Sequence, residues 1–274
     1  MFGAIAGDIT GSIYEFHPIK NADFPFLDQR GFYTDDTVLT VATAVAILDS
    51  ISRGSATAYG PVYKEYGRRY PNHSWGHNFA RWLFSDSVEP YGSYGNGSAM
   101  RVSPVGWAYD SLDDVLVQAE ASAAVTHNHP EGIKGAQATA AAIFLARCGT
   151  EQHGPGNEVT RSTIREEIQE RFGYDLGERV HSIRTHYSFH ATCQLTVPQA
   201  ITCALESDSV EHAIRNAVSL GGDADTLGCI AGAIAEALHG GVGPDIARFV
   251  QGKLPPEMWE VLEEFQATFH RPSV

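Results

Sequence analysis

Two segments far apart in the chain each place two aspartates and hydroxyl residues at the start of an apolar stretch. They are Thr34-Asp35-Asp36-Thr37 and Gly222-Asp223-Ala224-Asp225-Thr226. Carboxylate and hydroxyl oxygens are hard ligands that suit Mg²⁺, Mn²⁺ or Ca²⁺, and zinc is disfavoured because neither segment contains histidine or cysteine. One such segment alone more often caps a helix with an acidic first turn. A pair favours a divalent-metal site, because adjacent carboxylates repel each other and capping needs only one.

Glu15 is a candidate for proton transfer beside such a metal site. Asp8 precedes it by about two helical turns, on roughly the same side of a predicted first helix. A glutamate near a metal centre can serve as general acid or base. The alternative is a solvated carboxylate at a helix end.

Residues 92–101 read Gly-Ser-Tyr-Gly-Asn-Gly-Ser-Ala-Met-Arg, with three glycines in six residues. Exposed N–H groups in such a loop can cradle a diphosphate. An acidic protein has to supply positive potential locally, through amides, a metal or Arg101. The loop matches neither a Walker A motif nor GxGxxG, so an ordinary turn is the alternative.

Histidines and aromatic residues supply further binding candidates. His127 and His129 are spaced for a metal, but no third soft ligand is close in sequence, so hydrogen bonding to ribose or phosphate is favoured, with a polar helix cap as the alternative. Tyr94, Trp75 and Phe16 are candidates for stacking on a base, although most aromatic residues of such a chain belong to the core.

Helices have to position these residues. Helical patterns cover residues 2–15, 35–52, 75–84, 112–126, 131–147, 163–173, 198–206, 210–220, 225–239 and 256–269. Thr163 begins a capping box, and Gly3, Gly7 and Gly11 share one face of the first helix, where another helix can approach closely. Period-two alternation is scarce, so we expect one all-α domain over residues 1–274.

Composition narrows the class of protein further. The chain has 19 Lys+Arg against 33 Asp+Glu, a formal net charge of −14, and no basic run, which argues against binding unmodified nucleic acid. The four cysteines are scattered, as is usual in a reducing cytosol. Residues 38–48 and 227–238, the longest apolar stretches, do not qualify as membrane spans, and the N-terminus does not read as a signal peptide. We expect a cytoplasmic monomer that does not enter a membrane.

Five segments in order over nearly the whole chain resemble the ADP-ribosylglycohydrolase family, which includes dinitrogenase-reductase-activating glycohydrolases and ADP-ribosyl-acceptor hydrolases. The segments are residues 7–15, Gly-Asp-Ile-Thr-Gly-Ser-Ile-Tyr-Glu; 34–37, Thr-Asp-Asp-Thr; 95–101, Gly-Asn-Gly-Ser-Ala-Met-Arg; 126–127, Thr-His; and 221–226, Gly-Gly-Asp-Ala-Asp-Thr. The resemblance implies a compact multi-helix domain with two Mg²⁺ or Mn²⁺ ions in a cleft.

The resemblance also implies roles for individual residues. The implied metal ligands are Thr34, Asp35, Asp36, Asp223, Asp225 and Thr226. The implied catalytic residues are Glu15 and Asp36, with water attacking the anomeric carbon through an oxocarbenium-like transition state. The implied substrate-binding residues are Gly92, Ser93, Tyr94, Gly95, Asn96, Gly97, Met100 and His127, with the glycine loop on the diphosphate and His127 on the diphosphate or distal ribose.

The implied activity is Mg²⁺-dependent removal of ADP-ribose from a modified protein side chain. Glu15 and the glycine loop look more like the serine- and O-linked branch than the arginine branch. One alternative is hydrolysis of a small-molecule or nucleic-acid conjugate, such as O-acetyl-ADP-ribose. Another is a non-catalytic ADP-ribose-binding or structural protein, since the family includes lens crystallins; the intact aspartate segments argue against it.

Overall fold

The structure, a computed structural model, describes residues 1–269 as an all-helical fold. Its helices are α1 Phe2–Gly11, α2 Asp35–Arg53, α3 Tyr59–Arg69, α4 His77–Phe84, α5 Gly97–Met100, α6 Ser103–Ala108, α7 Leu112–Ala124, α8 Pro130–His153, α9 Glu158–Phe172, α10 Val180–His186, α11 Cys193–Leu205, α12 Val210–Val218, α13 Ala224–Leu238, α14 Pro244–Lys253 and α15 Pro256–Phe269. Within the described residues, the one β pairing is an isolated bridge between Gly95 and Thr192. The predicted all-α class is confirmed; the last residues of the predicted domain, 270–274, lie outside the described residues.

Helices α1 and α13 form the centre of the fold, in contact along their glycine-bearing faces. A Cβ atom on Gly7 would lie 2.0 Å from the Gly228 carbonyl oxygen, and one on Gly3 would lie 2.3 Å from that of Gly232. Only glycine permits backbones this close, so the predicted packing face of α1 is confirmed. This pairing places Asp8 of α1 near the start of α13, where Asp225 lies.

Helix α2 begins where its sequence predicts and ends one residue later, at Arg53. The Thr34 hydroxyl oxygen accepts a hydrogen bond from the Asp36 N–H at 3.3 Å, which caps the first turn. Gly54 ends the helix in the left-handed conformation, with φ of 58°. The cap fixes the direction in which Asp35 and Asp36 leave the backbone.

Several predicted boundaries were wrong, and local hydrogen bonds explain two of them. Helix α1 ends at Gly11, so Glu15 lies in the following turn; the Ser12 hydroxyl donates to the Ile9 carbonyl at 2.9 Å. Helix α9 begins at Glu158, because Asn157 accepts from the Val159 N–H at 2.8 Å. Thr163 therefore lies inside α9 and does not cap it.

The sequence patterns also missed whole elements. The unpredicted helices are α3, α5, α6, α10 and α14. Helix α11 contains Pro198 in its interior, where a helix starting at that residue was predicted. Across residues 1–269, no helix combines the length and the apolar character that crossing a bilayer requires.

Candidate active site

A cavity of about 380 Å³ lies where the starts of α2 and α13 meet the glycine loop of residues 92–97. Most of the predicted site residues line it: Glu15, Asp35, Asp36, Ser93, Gly95, Asn96, Gly97, Met100, His127, Asp223, Asp225 and Thr226. Thr34, Gly92 and Tyr94 are not among its lining residues. Residues from most of the chain, from Glu15 to Thr226, thus meet around one space.

The two aspartate segments converge, as a shared metal site requires. The Thr226 hydroxyl donates to Asp36 Oδ2 at 3.4 Å across the interface between α13 and α2. Glu15, Asp223 and Asp225 each offer a carboxylate oxygen, and these oxygens lie within 4.8 Å of one another. The carboxylates of both helix starts and of the turn after α1 therefore form one cluster.

Asp8 supports this cluster from below, a role that the sequence did not reveal. Its side chain is fully buried, and Oδ2 accepts from the backbone N–H groups of Thr34 at 3.0 Å and Thr37 at 3.1 Å, as well as from the Thr37 hydroxyl. Oδ1 accepts from the Thr34 hydroxyl at 2.8 Å. Asp8 is thus bound to the first turn of α2, and the available signal was an aspartate within an otherwise apolar, glycine-rich helix.

The predicted ligand Thr34 has two internal roles in the structure. Its hydroxyl donates to Asp8 and accepts from the Asp36 N–H, so one oxygen lone pair is left for any further partner. Thr34 is buried beneath the cavity wall. Its metal ligation stays a prediction, while its capping of α2 is observed.

Asn96 joins the glycine loop to the acidic cluster. Its side-chain amide donates to Asp223 Oδ2 at 2.7 Å and to the Thr196 hydroxyl at 3.2 Å. The backbone N–H of Asn96 donates to the Ala191 carbonyl at 3.0 Å. Asn96 therefore fixes the orientation of Asp223 and ties the loop to the segment before α11.

Burial and mutual repulsion disfavour ionisation throughout the acidic cluster. Burial, followed by nearby carboxylates, raises the pKa values of Asp35, Asp36 and Asp225 well above the ordinary range. Burial, followed by the charges of Asp223 and Asp8, raises the pKa of Glu15 to about 7. Burial also raises the pKa of Asp223, and it raises that of Asp8 to about 6 despite the four hydrogen bonds. The cluster therefore holds its protons more tightly than exposed carboxyls do, because residues 1–269 supply no cation to stabilise the charged forms.

The residues present fit a divalent cation. Within residues 1–269, none of these carboxylates forms a salt bridge with lysine, arginine or histidine. Asp36 Oδ1 is buried and lacks a hydrogen-bond partner among the described residues. Buried charges need partners, and an all-oxygen donor set suits a hard cation. The cluster therefore offers a donor set that could hold such an ion.

The glycine loop has fewer free amides than its sequence suggested. Gly92 N–H donates to Asn128 Oδ1 at 2.8 Å, Ser93 N–H to the Thr126 carbonyl at 3.3 Å, and Gly95 N–H to Ser93 Oγ at 3.1 Å. These bonds hold the loop in shape. The Ser93 hydroxyl accepts from Gly95 and keeps its own proton for a ligand in the cavity.

His127 lies behind this loop as a neutral, buried imidazole. Burial, and next the charge of Arg101, hold its pKa well below the usual range. Its Nδ1 lies 2.8 Å from the Thr126 hydroxyl oxygen. Its Nε2 faces the loop, since a Cβ atom on Gly97 would lie 3.2 Å from it. His127 is therefore placed to form a hydrogen bond to a ligand beside Gly97.

The other sequence candidates occupy different surroundings. His129 caps α8, its Nδ1 accepting from the Glu131 N–H at 3.1 Å, as the helix-cap alternative proposed. Tyr94 packs on the His129 ring at 5.2 Å, and Trp75 stacks on Phe79 at 5.2 Å. Phe16 is 73% exposed and does not line the cavity.

Several cavity residues were not among the predicted site residues. They are Leu39, Ser74, Gly76, His77, Asn78, Phe79, Tyr91, Arg101, Phe189 and Ala191. Of these, Arg101 alone was considered earlier, as a source of positive potential. Leu39 lies on α2, and the others reach the cavity through the packing of α4 and of the loops before α4, α5 and α11, which local patterns do not encode.

The chain is similar to known proteins over most of its length. A family model described as ADP-ribosylglycohydrolase matches residues 1–269. Mouse ADP-ribosylhydrolase ARH3 is 27% identical over 305 aligned residues, covering 87% of this chain and 82% of that protein. ADP-ribosylarginine hydrolase Tri1 of Pseudomonas putida is 24% identical, covering 95% and 72%. A solved structure described as an ADP-ribosylglycohydrolase-related protein complex superposes with a TM-score of 0.70 at 22% identity, over 100% of this chain and 97% of that one.

Proposed function

The chain belongs to the ADP-ribosylglycohydrolase family, and from this premise we propose that it is a Mg²⁺-dependent enzyme that removes ADP-ribose from modified protein side chains, with serine and other oxygen linkages preferred over arginine. The observation that carries the proposal is the convergence of two aspartate segments on one cavity without protein cations to neutralise them. Mn²⁺ is the alternative ion, because it accepts the same oxygen donors.

Two ions would be held by the residues of the two segments. The proposed ligands are Thr34, Asp35, Asp36, Asp223, Asp225 and Thr226. When bound, divalent cations supply Lewis acidity and a template for the ribose hydroxyls beside the scissile bond. The unpartnered Asp36 Oδ1 supports this assignment, because it is a buried acceptor that nothing in the described protein satisfies.

The carboxylates also suit cleavage at an anomeric carbon. Positive charge develops on that carbon and on the ring oxygen in the transition state, and fixed negative groups nearby stabilise it. Asp36 has a free acceptor oxygen that can hold the attacking water. Glu15, whose pKa burial and the charges of Asp223 and Asp8 raise in the metal-free protein, is placed to donate a proton to the leaving oxygen or to accept one from water.

The opposite side of the cavity suits the diphosphate. The Ser93 hydroxyl keeps its proton, and the neutral His127 faces Gly97. Neutral donors can bind the diphosphate without forming an ion pair with the neighbouring aspartates. Binding energy from this remote part of the substrate can orient the reacting ribose.

The test is release of free ADP-ribose from serine-linked and arginine-linked ADP-ribosylated peptides, with Mg²⁺ and with EDTA. Asp225→Ala is the test variant, and Asp113→Ala, which removes an exposed acid in the first turn of α7, is the matched control. We expect Mg²⁺-dependent release from the serine-linked peptide that Asp225→Ala abolishes and Asp113→Ala retains. Release that survives EDTA or Asp225→Ala would contradict the metal assignment.

Arginine-linked substrate is the second candidate, favoured by the similarity to the bacterial relative whose name specifies ADP-ribosylarginine. Metal-dependent release from the arginine-linked peptide alone would assign this acceptor in place of serine. Release from O-acetyl-ADP-ribose alone would assign a small-molecule substrate. ADP-ribose binding without release from any of the three would contradict the enzymatic proposal.

A further inference from the structure

Arg101 is a buried cation whose charge no carboxylate neutralises within residues 1–269. Its side chain has no exposed surface, and its guanidinium lies 4.4 Å from the centroid of the Tyr63 ring. Nη2 donates to the Ser122 carbonyl at 2.8 Å and to the Thr126 hydroxyl oxygen at 3.0 Å, whereas Nε and Nη1 lack partners among the described residues. A cation this deeply buried polarises the groups that it does contact.

Thr126 connects this cation to His127. Arginine can only donate, so its N–H group occupies a lone pair of the Thr126 hydroxyl oxygen. The same oxygen lies 2.8 Å from His127 Nδ1. Donation from a cation makes a hydroxyl a stronger donor, so the Thr126 proton is best directed at Nδ1.

Electrostatics favours the same assignment at His127. The imidazole is neutral, because burial and Arg101 disfavour its protonated form. A neutral imidazole has one donor and one acceptor nitrogen. With a positive charge beyond Thr126, the lone pair is preferred at Nδ1, and the proton is left on Nε2.

Nε2 points where a ligand would be. Cβ atoms built on Gly97 and Gly95 would lie 3.2 Å and 3.6 Å from it. Among the described residues, Nε2 has no hydrogen-bond partner, and the His127 side chain lines the cavity. The glycines leave space beside a nitrogen that carries a proton and needs an acceptor.

We propose that Arg101 and Thr126 are positioning residues that hold neutral His127 in the tautomer protonated at Nε2, which makes Nε2–H a fixed donor to a phosphate oxygen beside Gly95 and Gly97. The identity of the anion as the diphosphate of ADP-ribose rests on the proposed function. The tautomer of His127 does not rest on the proposed function, because it is a property of the protein without ligand.

The test reads the tautomer directly by long-range ¹H–¹⁵N correlation spectra of the ¹⁵N-histidine-labelled protein, with the His127 signals assigned by their loss in His127→Gln. Thr126→Val removes the hydroxyl with little change in volume, and Thr126→Ser retains it. We expect Nε2 protonation in the wild type and in Thr126→Ser, and a mixture of tautomers in Thr126→Val. Thermal unfolding of each variant shows whether the fold is retained.

Binding provides the second readout. By calorimetry with ADP-ribose, Thr126→Val should raise the Kd about 10-fold, the effect of losing one well-oriented hydrogen bond, and Thr126→Ser should leave it within about 2-fold. Turnover of bound substrate should change little, so KM and not kcat should follow the loss. Protonation at Nδ1 in the wild type, or an unchanged tautomer in Thr126→Val, would overturn the proposal. Absence of ADP-ribose binding to a wild type protonated at Nε2 would contradict the proposed function and leave the positioning role standing.

Discussion

The two walls of the cavity differ in how far the protein satisfies its own polar groups. The acidic wall, formed by Glu15, Asp35, Asp36, Asp223 and Asp225, holds buried carboxylates without cationic partners. The donor wall is formed by Ser93, Gly95, Gly97 and His127, whose surrounding amides and hydroxyls are bonded to one another. Under the proposed function an added cation completes the first wall, whereas the second wall is organised by hydrogen bonds within the protein.

In the metal-free protein, we therefore expect the acidic wall to lower the stability of the fold and the donor wall to raise it. On the acidic wall, a bound cation would offset the cost of burying carboxylates without partners. On the other side, bonded loop groups reduce the entropy lost when a ligand binds. Substitutions on the two walls should therefore have opposite effects on metal-free stability.

The largest effect should come from Asp225→Asn. We expect a loss of activity of about 10³-fold, because a ligand and a stabiliser of transition-state charge are removed together. We also expect metal-free unfolding at a higher temperature than in the wild type, since a buried repelling charge is removed. Asp113→Asn, at an exposed position, should change neither quantity. If Asp225→Asn is inactive but also less stable than the wild type without metal, the acidic wall does not destabilise the metal-free protein.

A smaller effect is expected from Asp8→Asn, which tests the support beneath the acidic wall. An amide cannot accept at both oxygen positions. With its oxygen kept where Oδ2 accepts from the N–H groups of Thr34 and Thr37, its NH2 group faces the Thr34 hydroxyl, which now donates to Oδ1 and would have to turn away. We expect the Mg²⁺ concentration for half-maximal activity to rise about 10- to 100-fold, as for other residues that orient metal ligands. Thr10→Val, another buried polar position on α1, is the control and should leave it unchanged. Equal effects of both would mean that only packing of α1 matters.

Lys20→Met should have a moderate effect on the segment that carries Glu15. Lys20 Nζ donates to the carbonyls of Tyr187 and Leu220, both at 2.5 Å, which ties this segment to the residues before Asp223. Loss of these bonds should lower kcat about 5-fold while Mg²⁺ affinity is retained. Lys20→Arg keeps donor groups and should recover most of the loss. A change in Mg²⁺ affinity with unchanged kcat would contradict the assignment of Glu15 to the chemical step.

The smallest effect concerns the pH dependence of stability without metal. The pKa of Glu15 is raised to about 7 in the folded protein, so the folded state binds more protons than the unfolded state between its ordinary pKa of 4.5 and that value. Stability from this group is present at low pH and is lost as pH rises through about 7. We compare the free energy of unfolding of metal-free Glu15→Gln with that of the wild type at about pH 5 and about pH 8. From the lower to the higher pH, the difference should shift by about 1 kcal/mol in favour of the variant, after allowance for solvent screening at this half-buried group. Denaturant titrations of both proteins at both pH values measure these free energies. A variant that loses stability relative to the wild type as the pH rises would contradict the raised pKa of Glu15.

The sequence predicted the residues of both walls but not the tertiary contacts that hold them in place. Asp35, Asp36, Asp223 and Asp225 follow from local patterns, because each pair begins a helix and a helix start fixes side-chain direction. Position along the chain could not reveal that Asp8 is bound to the first turn of α2, since that contact depends on tertiary packing.

The fold shows the same division between local and tertiary causes. The glycine face of α1 predicted a close helix neighbour, but not that α13 would supply matching glycines at Gly228 and Gly232. The end of α1 at Gly11 depends on hydrogen bonds of Ser12, including one from the distant Phe32 N–H at 3.1 Å. Glu15 is consequently presented by a turn and not by a helix.

Anomalous scattering from crystals soaked in Mn²⁺ locates a bound cation without relying on activity. We expect anomalous peaks between the starts of α2 and α13, in contact with the carboxylates of Asp36 and Asp225, and their loss in Asp225→Asn crystals. Peaks elsewhere, or none in wild-type crystals that retain the converged aspartates, would contradict the proposed metal site.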